Sequence, residues 1–167
     1  MRSAPVLVAL LVSLPLAAHA AGGLTLAPPA FLAGPEIEHS ALGATYAYRG
    51  RAPHAASALQ ITVVDVPDEL AVGGRTSERC LKMFLDELAR GRNGFFSAPI
   101  PELLVAGGLS FAQVRWLDTA ASGATGVMAC AVDGGRYVAV SYQDSLKGAV
   151  ESFPKIRAAL TGLAVPR

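Results

Sequence analysis

The chain has few charged residues and no excess of either sign. Its 167 residues include 14 lysines and arginines and 13 aspartates and glutamates, which makes 16% charged against a usual quarter. Arg2 belongs to an N-terminal segment that we expect to be removed, and without it the two signs balance at 13 each. Such a balance gives no basic surface for nucleic acid or for an anionic membrane. We therefore expect no nucleic-acid partner.

Long apolar runs are also missing, apart from one at the N terminus. The predominantly apolar stretch Val6–Leu16 follows the single charge of Arg2 and precedes Ala18-His19-Ala20. A cationic start, an apolar run of this length and a small-residue site are the parts of a signal peptide, so residues 1–20 are predicted to be cleaved after Ala20. The run is shorter than the roughly 20 residues of a membrane span. The mature chain is expected to have no integral membrane segment and to lie in the periplasm or be secreted.

Motifs for catalysis, cofactors and metals are missing as well. The two histidines beyond the signal peptide, His39 and His54, lack the close spacing typical of a metal site. The glycines before Arg75 match neither of the common phosphate-binding loops. The carboxylates are scattered and indicate no acid–base pair. The sequence predicts no catalytic, cofactor-binding or metal-ligating residue.

The patterns that are present begin with strands and one helix. Leu59, Ile61 and Val63 alternate with other residues, as in a half-buried strand, and residues 41–51 alternate in the same way. From Thr76 to Gly91 apolar residues recur at helical spacing between a capping hydroxyl and a terminating glycine. This segment is predicted to be a helix. Residues 21–35, rich in glycine and proline, are predicted to be an extended lead-in to a single domain over 36–167.

Two hairpins and a second helix are predicted after the first helix. Gly107-Gly108 suits a tight turn between strands at 102–106 and 109–117, and Gly134-Gly135 suits a second. The second hairpin is apolar on both faces, so its sheet needs cover on both sides. A closing helix with Pro154 in its first turn would supply cover. The order of elements predicts an α+β fold, an antiparallel β-sheet of about six strands with helices packed on its faces in an α/β/α sandwich.

This series of elements resembles the PsbP-like superfamily over residues 36–165. The resemblance rests on the strand LQITVVDVP, the helix ERCLKMFLDELARG, the meander from LLVAGGLSFAQVRWLD to RYVAVSYQD, and the closing segment FPKIRAALTGL. The superfamily includes a photosystem extrinsic protein, a nuclear Ran-binding protein and secreted bacterial proteins. The resemblance implies a non-enzymatic binding or assembly factor, and it transfers no catalytic residue.

The two cysteines, Cys80 and Cys130, leave three alternatives open. An oxidising compartment and a helix that packs on a sheet favour a structural disulfide between them, which is our prediction. Two separate buried thiols are the second alternative. The third is a reactive Cys80, because a position near a helix N terminus lowers the pKa of a thiol. That alternative would make the protein a periplasmic thiol-dependent or hydrolytic enzyme.

Phe95 and Phe96 are predicted to be a possible partner surface. They are adjacent in a loop bounded by glycine and proline, where two neighbouring phenylalanines do not easily both turn inward. An exposed phenylalanine there would mark a contact with a partner; the alternative is that the loop folds over the sheet edge. The predicted function is an exported non-enzymatic domain that binds an unknown protein or small ligand.

Overall fold

The computed structural model describes residues 23–71, 74–120 and 123–165. In chain order the elements are β1 (Leu32–Ser40), β2 (Gly43–Gly50), β3 (Ala58–Asp65), a short 3-10 turn (Asp68–Leu70), α1 (Ser77–Ala89), β4 (Phe95–Ser97), β5 (Glu102–Ala106), β6 (Leu109–Asp118), β7 (Ala124–Asp133), β8 (Arg136–Ser145) and α2 (Leu146–Leu160). The predicted signal peptide lies outside the described residues, so its cleavage stays an expectation.

The eight described strands form one antiparallel sheet. Its order is β1-β2-β3-β8-β7-β6-β4, and β5 also pairs with β6. β4 pairs with the C-terminal end of β6, where Phe96 lies opposite Leu117, and β5 pairs with the N-terminal half, where Leu104 lies opposite Phe111. β4 and β5 therefore share one outer edge. The predicted α+β class and antiparallel pairing are confirmed, with eight strands instead of about six.

β1 and β4 are the two strands that the sequence pattern does not predict. β1 begins at Leu32, inside the segment predicted to be a lead-in, and most of its residues are exposed. An exposed edge strand needs no apolar alternation, so it leaves no periodic signal. β4 has three residues and lies in a segment predicted to be a loop. Since Leu32 is buried in the core, the ordered sheet begins before residue 36.

Each helix covers one face of the sheet. The face under α2 carries the larger cluster of buried residues: Leu32, Tyr46, Tyr48, Leu59, Ile61, Val63, Leu104, Ala106, Phe111, Ala129, Ala131, Val138, Val140, Tyr142, Ile156, Leu160 and Leu163. The face under α1 carries the second: Cys80, Leu81, Ala112, Val114, Trp116, Met128, Cys130, Tyr137 and Ala139. β7 and β8 contribute to both clusters, because successive side chains of a strand point to opposite faces. The prediction that this hairpin is covered on both sides is confirmed.

The predicted helix and hairpin signals are present where the sequence places them. The Thr76 hydroxyl accepts a hydrogen bond of 3.2 Å from the backbone N–H of Arg79, which caps α1. The β5–β6 turn has φ of 56° at Gly107 and 76° at Gly108, the positive values of a primed hairpin turn. These local signals fix where the elements begin and end.

α2 begins earlier than the sequence predicts. Ser145 caps the helix by accepting a 3.0 Å hydrogen bond from the N–H of Gly148, and Pro154 lies inside the helix and not in its first turn. A proline there has no N–H to donate to a carbonyl of the preceding turn, so one helical hydrogen bond is lost. The cap and the burial of Ile156 and Leu160 against the sheet outweigh this loss. As a result, two further turns of helix lie over the sheet.

Candidate functional site

A cleft of about 330 Å³ lies between α2 and the outer strands of the sheet. α2 packs on β7 and β8, while the same face of the sheet continues beyond the helix to β6 and β5. The volume is at the lower end of the range of small-molecule sites, about 300–1,000 Å³. The cleft is lined by Leu104, Gln113, Arg115, Val127, Ala129, Val140, Tyr142, Ala149, Val150, Phe153, Pro154, Ile156, Arg157 and Leu160.

The deep part of the cleft is apolar. Ala129 and Val140 of the sheet and Ile156 of the helix are buried core residues that also line it. Toward solvent the lining residues become exposed, and Val150 of α2 is 81% exposed. The cleft therefore has a closed apolar end and an open rim.

The rim carries positive charge on both sides. Arg115 of β6 and Arg157 of α2 are exposed, and neither forms an ion pair within the described residues. Gln113, two positions before Arg115, donates a 3.4 Å hydrogen bond to the carboxylate of Glu102. Among the described residues, the lining itself has no carboxylate. An apolar floor under two free guanidinium groups can bind a ligand with an apolar body.

A buried carboxylate, Asp144, anchors the cleft where α2 begins. Its Oδ2 accepts hydrogen bonds from the hydroxyls of Ser57 (2.6 Å), Ser152 (2.7 Å) and Tyr142 (3.2 Å). Its Oδ1 accepts one of 2.7 Å from the backbone N–H of Ser145. Asp144 thereby connects β8, the β2–β3 loop and α2 through one side chain.

Hydrogen bonds keep Asp144 ionised, and burial keeps Tyr142 protonated. Burial raises the pKa of Asp144, but the hydrogen bonds from Ser152, Ser57, the Ser145 N–H and Tyr142 together hold that pKa below its usual value. Burial raises the pKa of Tyr142, so its hydroxyl stays a donor. The ring of Tyr142 lines the cleft and packs edge-on against Phe153 with centroids 5.4 Å apart. The buried network therefore positions one wall of the cleft.

The sequence pattern does not predict this network. Ser57 is 87 positions from Asp144, and Ser152 is eight positions from it on a different element. Asp144-Ser145 before a helix resembles an ordinary N-terminal cap. Gly148 is a weak hint in retrospect, because a Cβ there would lie 2.5 Å from the Asp144 carboxylate. The pairing of β3 with β8 brings Ser57 to Asp144, and the packing of α2 on the sheet brings Ser152.

Cys80 and Cys130 are joined by a disulfide on the opposite face of the sheet. Their Cα atoms are 5.8 Å apart, and both residues are fully buried. The bond links α1 to β7, in the middle of the cluster that α1 covers. Cys80 is thus bonded and enclosed, and in this state it offers no thiol to a substrate.

The architecture is shared with two solved structures. CyanoP, the cyanobacterial PsbP from Synechocystis, aligns with a TM-score of 0.55 at 9% identity, covering 86% of each chain. LpqN, which is involved in cell envelope biogenesis in Mycobacterium tuberculosis, aligns with a TM-score of 0.55 at 13% identity, covering 89% of this chain and 88% of its own. The fold is PsbP-like. No protein-family model matches the sequence, and no curated protein matches it.

The two phenylalanines of β4 lie on opposite faces of the PsbP-like sheet. Phe95 is half-buried and stacks on Trp116 at a centroid distance of 5.6 Å. Phe96 is 61% exposed and lies opposite Leu117, on the face that carries Arg115. Of the predicted partner surface, Phe96 is the residue available for contact, and its binding to a partner stays a prediction.

Neither His39 nor His54 lines the cleft. His39 is exposed on β1, and His54 packs against Phe31 with ring centroids 4.6 Å apart. In the ranges 23–71, 74–120 and 123–165, no group of three or more His, Cys, Asp or Glu side chains is arranged to hold a metal ion. Neither α1 nor α2 has the length and hydropathy to cross a membrane.

Proposed function

We propose that this PsbP-like domain is an exported, non-enzymatic protein that binds a small, largely apolar ligand in the cleft beside α2. The observation that carries the proposal is the cleft itself, with buried Ala129 and Val140 at its floor and an open rim. Concave sites with apolar walls and a few polar groups are the usual form of a ligand pocket. LpqN shares the fold and is involved in cell envelope biogenesis, which supports a function outside the cytoplasm.

The non-enzymatic part of the proposal is supported by the chemistry of the side chains near the cleft. Within the part of the chain that the structure describes, the lining contains no histidine, cysteine or carboxylate. The Asp144 carboxylate beneath it is already saturated with hydrogen bonds and is buried. Cys80, the one candidate nucleophile of the sequence, is held in the disulfide. A general acid or base for the cleft would have to come from elsewhere.

The export part is supported by the signal-like N terminus and by the disulfide. Disulfides persist in oxidising compartments and are rare in the cytosol. The test is N-terminal sequencing of the full-length product recovered from the periplasmic and secreted fractions. A mature chain that begins at Ala21 supports export; an intact N terminus in the cytosolic fraction refutes it.

Ligand binding is tested with the neutral fluorescent probe N-phenyl-1-naphthylamine, whose emission rises in apolar sites. We expect saturable binding to the full mature chain. Val150→Asn is expected to weaken that binding about fivefold, a fraction of what full burial of a valine contributes. Val150 lies on the rim and is largely exposed, so the substitution should leave the fold intact.

Leu146→Asn is the matched control for Val150→Asn. Leu146 is one turn earlier on the same helix, is 54% exposed and does not line the cleft. Its substitution should leave probe binding unchanged. The proposal fails if the wild-type chain does not bind the probe, or if both substitutions weaken binding equally.

A protein contact at the outer edge of the sheet is a second candidate function. Exposed apolar side chains gather along β4, β5 and the loop between them: Phe96, Ile100, Leu103 and Val105. Exposed apolar side chains concentrated along one edge are typical of a partner surface. A photo-crosslinking residue at position 96 should then give one discrete adduct in cells, whereas the same residue at the exposed α1 position of Arg79 should give none. Equal adducts at both positions would eliminate this candidate.

A further inference from the structure

Building on the proposed ligand cleft, we propose that its ligand is a single-chain amphiphile with an anionic headgroup. The chain lies along the apolar floor, and Arg115 and Arg157 bind the headgroup at the rim. The inference rests on the charges, the burial gradient and the size of the cleft.

The two arginines are available for an anion. Elsewhere in the described ranges, seven lysines and arginines form ion pairs with carboxylates, including Lys155 of α2 with Glu151. Arg115 and Arg157 form none within those ranges, although they stand on the two sides of one cleft. The planar guanidinium group of arginine binds carboxylates and phosphates through paired hydrogen bonds. Two of them facing one cleft favour a ligand that carries negative charge.

No carboxylate of the described residues forms an ion pair with Arg115 or Arg157. Glu102 is on β5 outside the lining and accepts its hydrogen bond from the Gln113 amide. Glu151 pairs with Lys155 at 2.6 Å. Asp144 is buried and directed at Ser57, Ser152 and the Ser145 N–H. Both guanidinium groups of the rim therefore keep N–H donors free for an anionic headgroup.

The change of polarity with depth matches an amphiphile. Ala129 and Val140 of the floor and Tyr142 of the wall are almost fully buried, whereas the arginines are on the exposed side. A ligand that is apolar throughout would leave both exposed guanidinium groups bonded only to water, and a small anion alone would leave the floor empty. A volume of about 330 Å³ suits one chain, since it is near the minimum for small-molecule sites.

The test measures displacement of N-phenyl-1-naphthylamine by four ligands with the same ten-carbon chain, each below its micelle concentration: decanoate, decyl phosphate, decyl maltoside and decyltrimethylammonium. We expect both anions to bind at least about tenfold more tightly than the cation. Inorganic phosphate alone should displace no probe. Decanoate and decyl phosphate distinguish a carboxylate headgroup from a phosphate headgroup, and a preference for either one over the cation supports the proposal.

The double variant Arg115→Gln with Arg157→Gln should reduce the preference for anions to about threefold or less and leave decyl maltoside affinity unchanged. Arg79→Gln is the control, because Arg79 is exposed on α1, on the other face of the sheet, and forms no ion pair among the described residues. Equal affinity for anions and cation, or a preference that survives in the double variant, overturns the inference. Failure of the wild-type chain to bind the neutral probe would instead refute the proposed function beneath it.

Discussion

Ser152 in α2 donates a hydrogen bond of 2.7 Å to the carboxylate of Asp144 in β8, and both side chains are buried. The same carboxylate oxygen accepts from Tyr142, whose ring is part of the cleft wall. Helix, sheet and cleft therefore depend on one ionised group. The stability of the protein and the shape of its proposed site should respond together to changes at this position.

Asp144→Ala is expected to lower the free energy of unfolding by about 2–3 kcal/mol, because it leaves buried hydroxyl donors without an acceptor. Urea unfolding followed by circular dichroism measures the change. Asp65→Ala, at the exposed end of β3, is the control and should change stability by less than about 0.5 kcal/mol. Equal losses in the two variants would show that Asp144 has no special structural role.

The free energy of unfolding should fall in acid, because Asp144 becomes protonated. Its pKa in the folded state is below the value of about 3.9 in an unfolded chain, so the unfolded chain binds the proton first as the pH falls. The stabilisation is complete above the unfolded pKa and is lost as the pH falls through the folded pKa. Free energies of unfolding between about pH 5 and pH 2 should have a shallower slope for Asp144→Asn than for the wild type. Parallel curves would contradict the prediction.

Reduction of the disulfide should cost about 2–4 kcal/mol of stability, since the bond closes a loop over a sequence separation of 50. Urea unfolding with and without dithiothreitol measures the loss. The variant in which Cys80 and Cys130 are both alanine should be insensitive to the reductant. Mass spectrometry of unreduced protein from cells should show no alkylation by iodoacetamide. A labelled Cys80 in that sample would restore the thiol-enzyme alternative.

Truncation of the two phenylalanines of β4 to alanine should lower the free energy of unfolding by very different amounts. Phe95→Ala is expected to cost about 2–3 kcal/mol, because the ring stacks on Trp116 inside the cluster under α1. Phe96→Ala should cost less than about 0.5 kcal/mol, because that ring is mostly in solvent. Chemical unfolding followed by the emission of Trp116, the single tryptophan, reports both. The reverse order of losses would mean that β4 is placed the other way round on the sheet edge.

An element can be predicted from the sequence when residues close together along the chain carry its pattern. α1 and the hairpins at Gly107-Gly108 and Gly134-Gly135 are predicted because caps, turn glycines and apolar periodicity act within a few residues. β1 and β4 are not predicted, because an exposed strand and a strand of three residues leave no such pattern. The sequence predicts the start of α2 too late, because Pro154 resembles a first-turn proline. In the structure the cap at Ser145 and the packing on the sheet keep Pro154 inside the helix.

The sequence by itself determined the α+β class, the apolar faces of β7 and β8, and the two cysteines available for a crosslink. These properties follow from periodicity and composition, which neighbouring residues express along the chain. The cleft, the Asp144 network and the placement of Arg115 and Arg157 at the rim of one cleft were decided only by the tertiary structure. Their residues come from different strands, from the β2–β3 loop and from α2, and they become neighbours only when distant strands pair and the helix packs on the sheet.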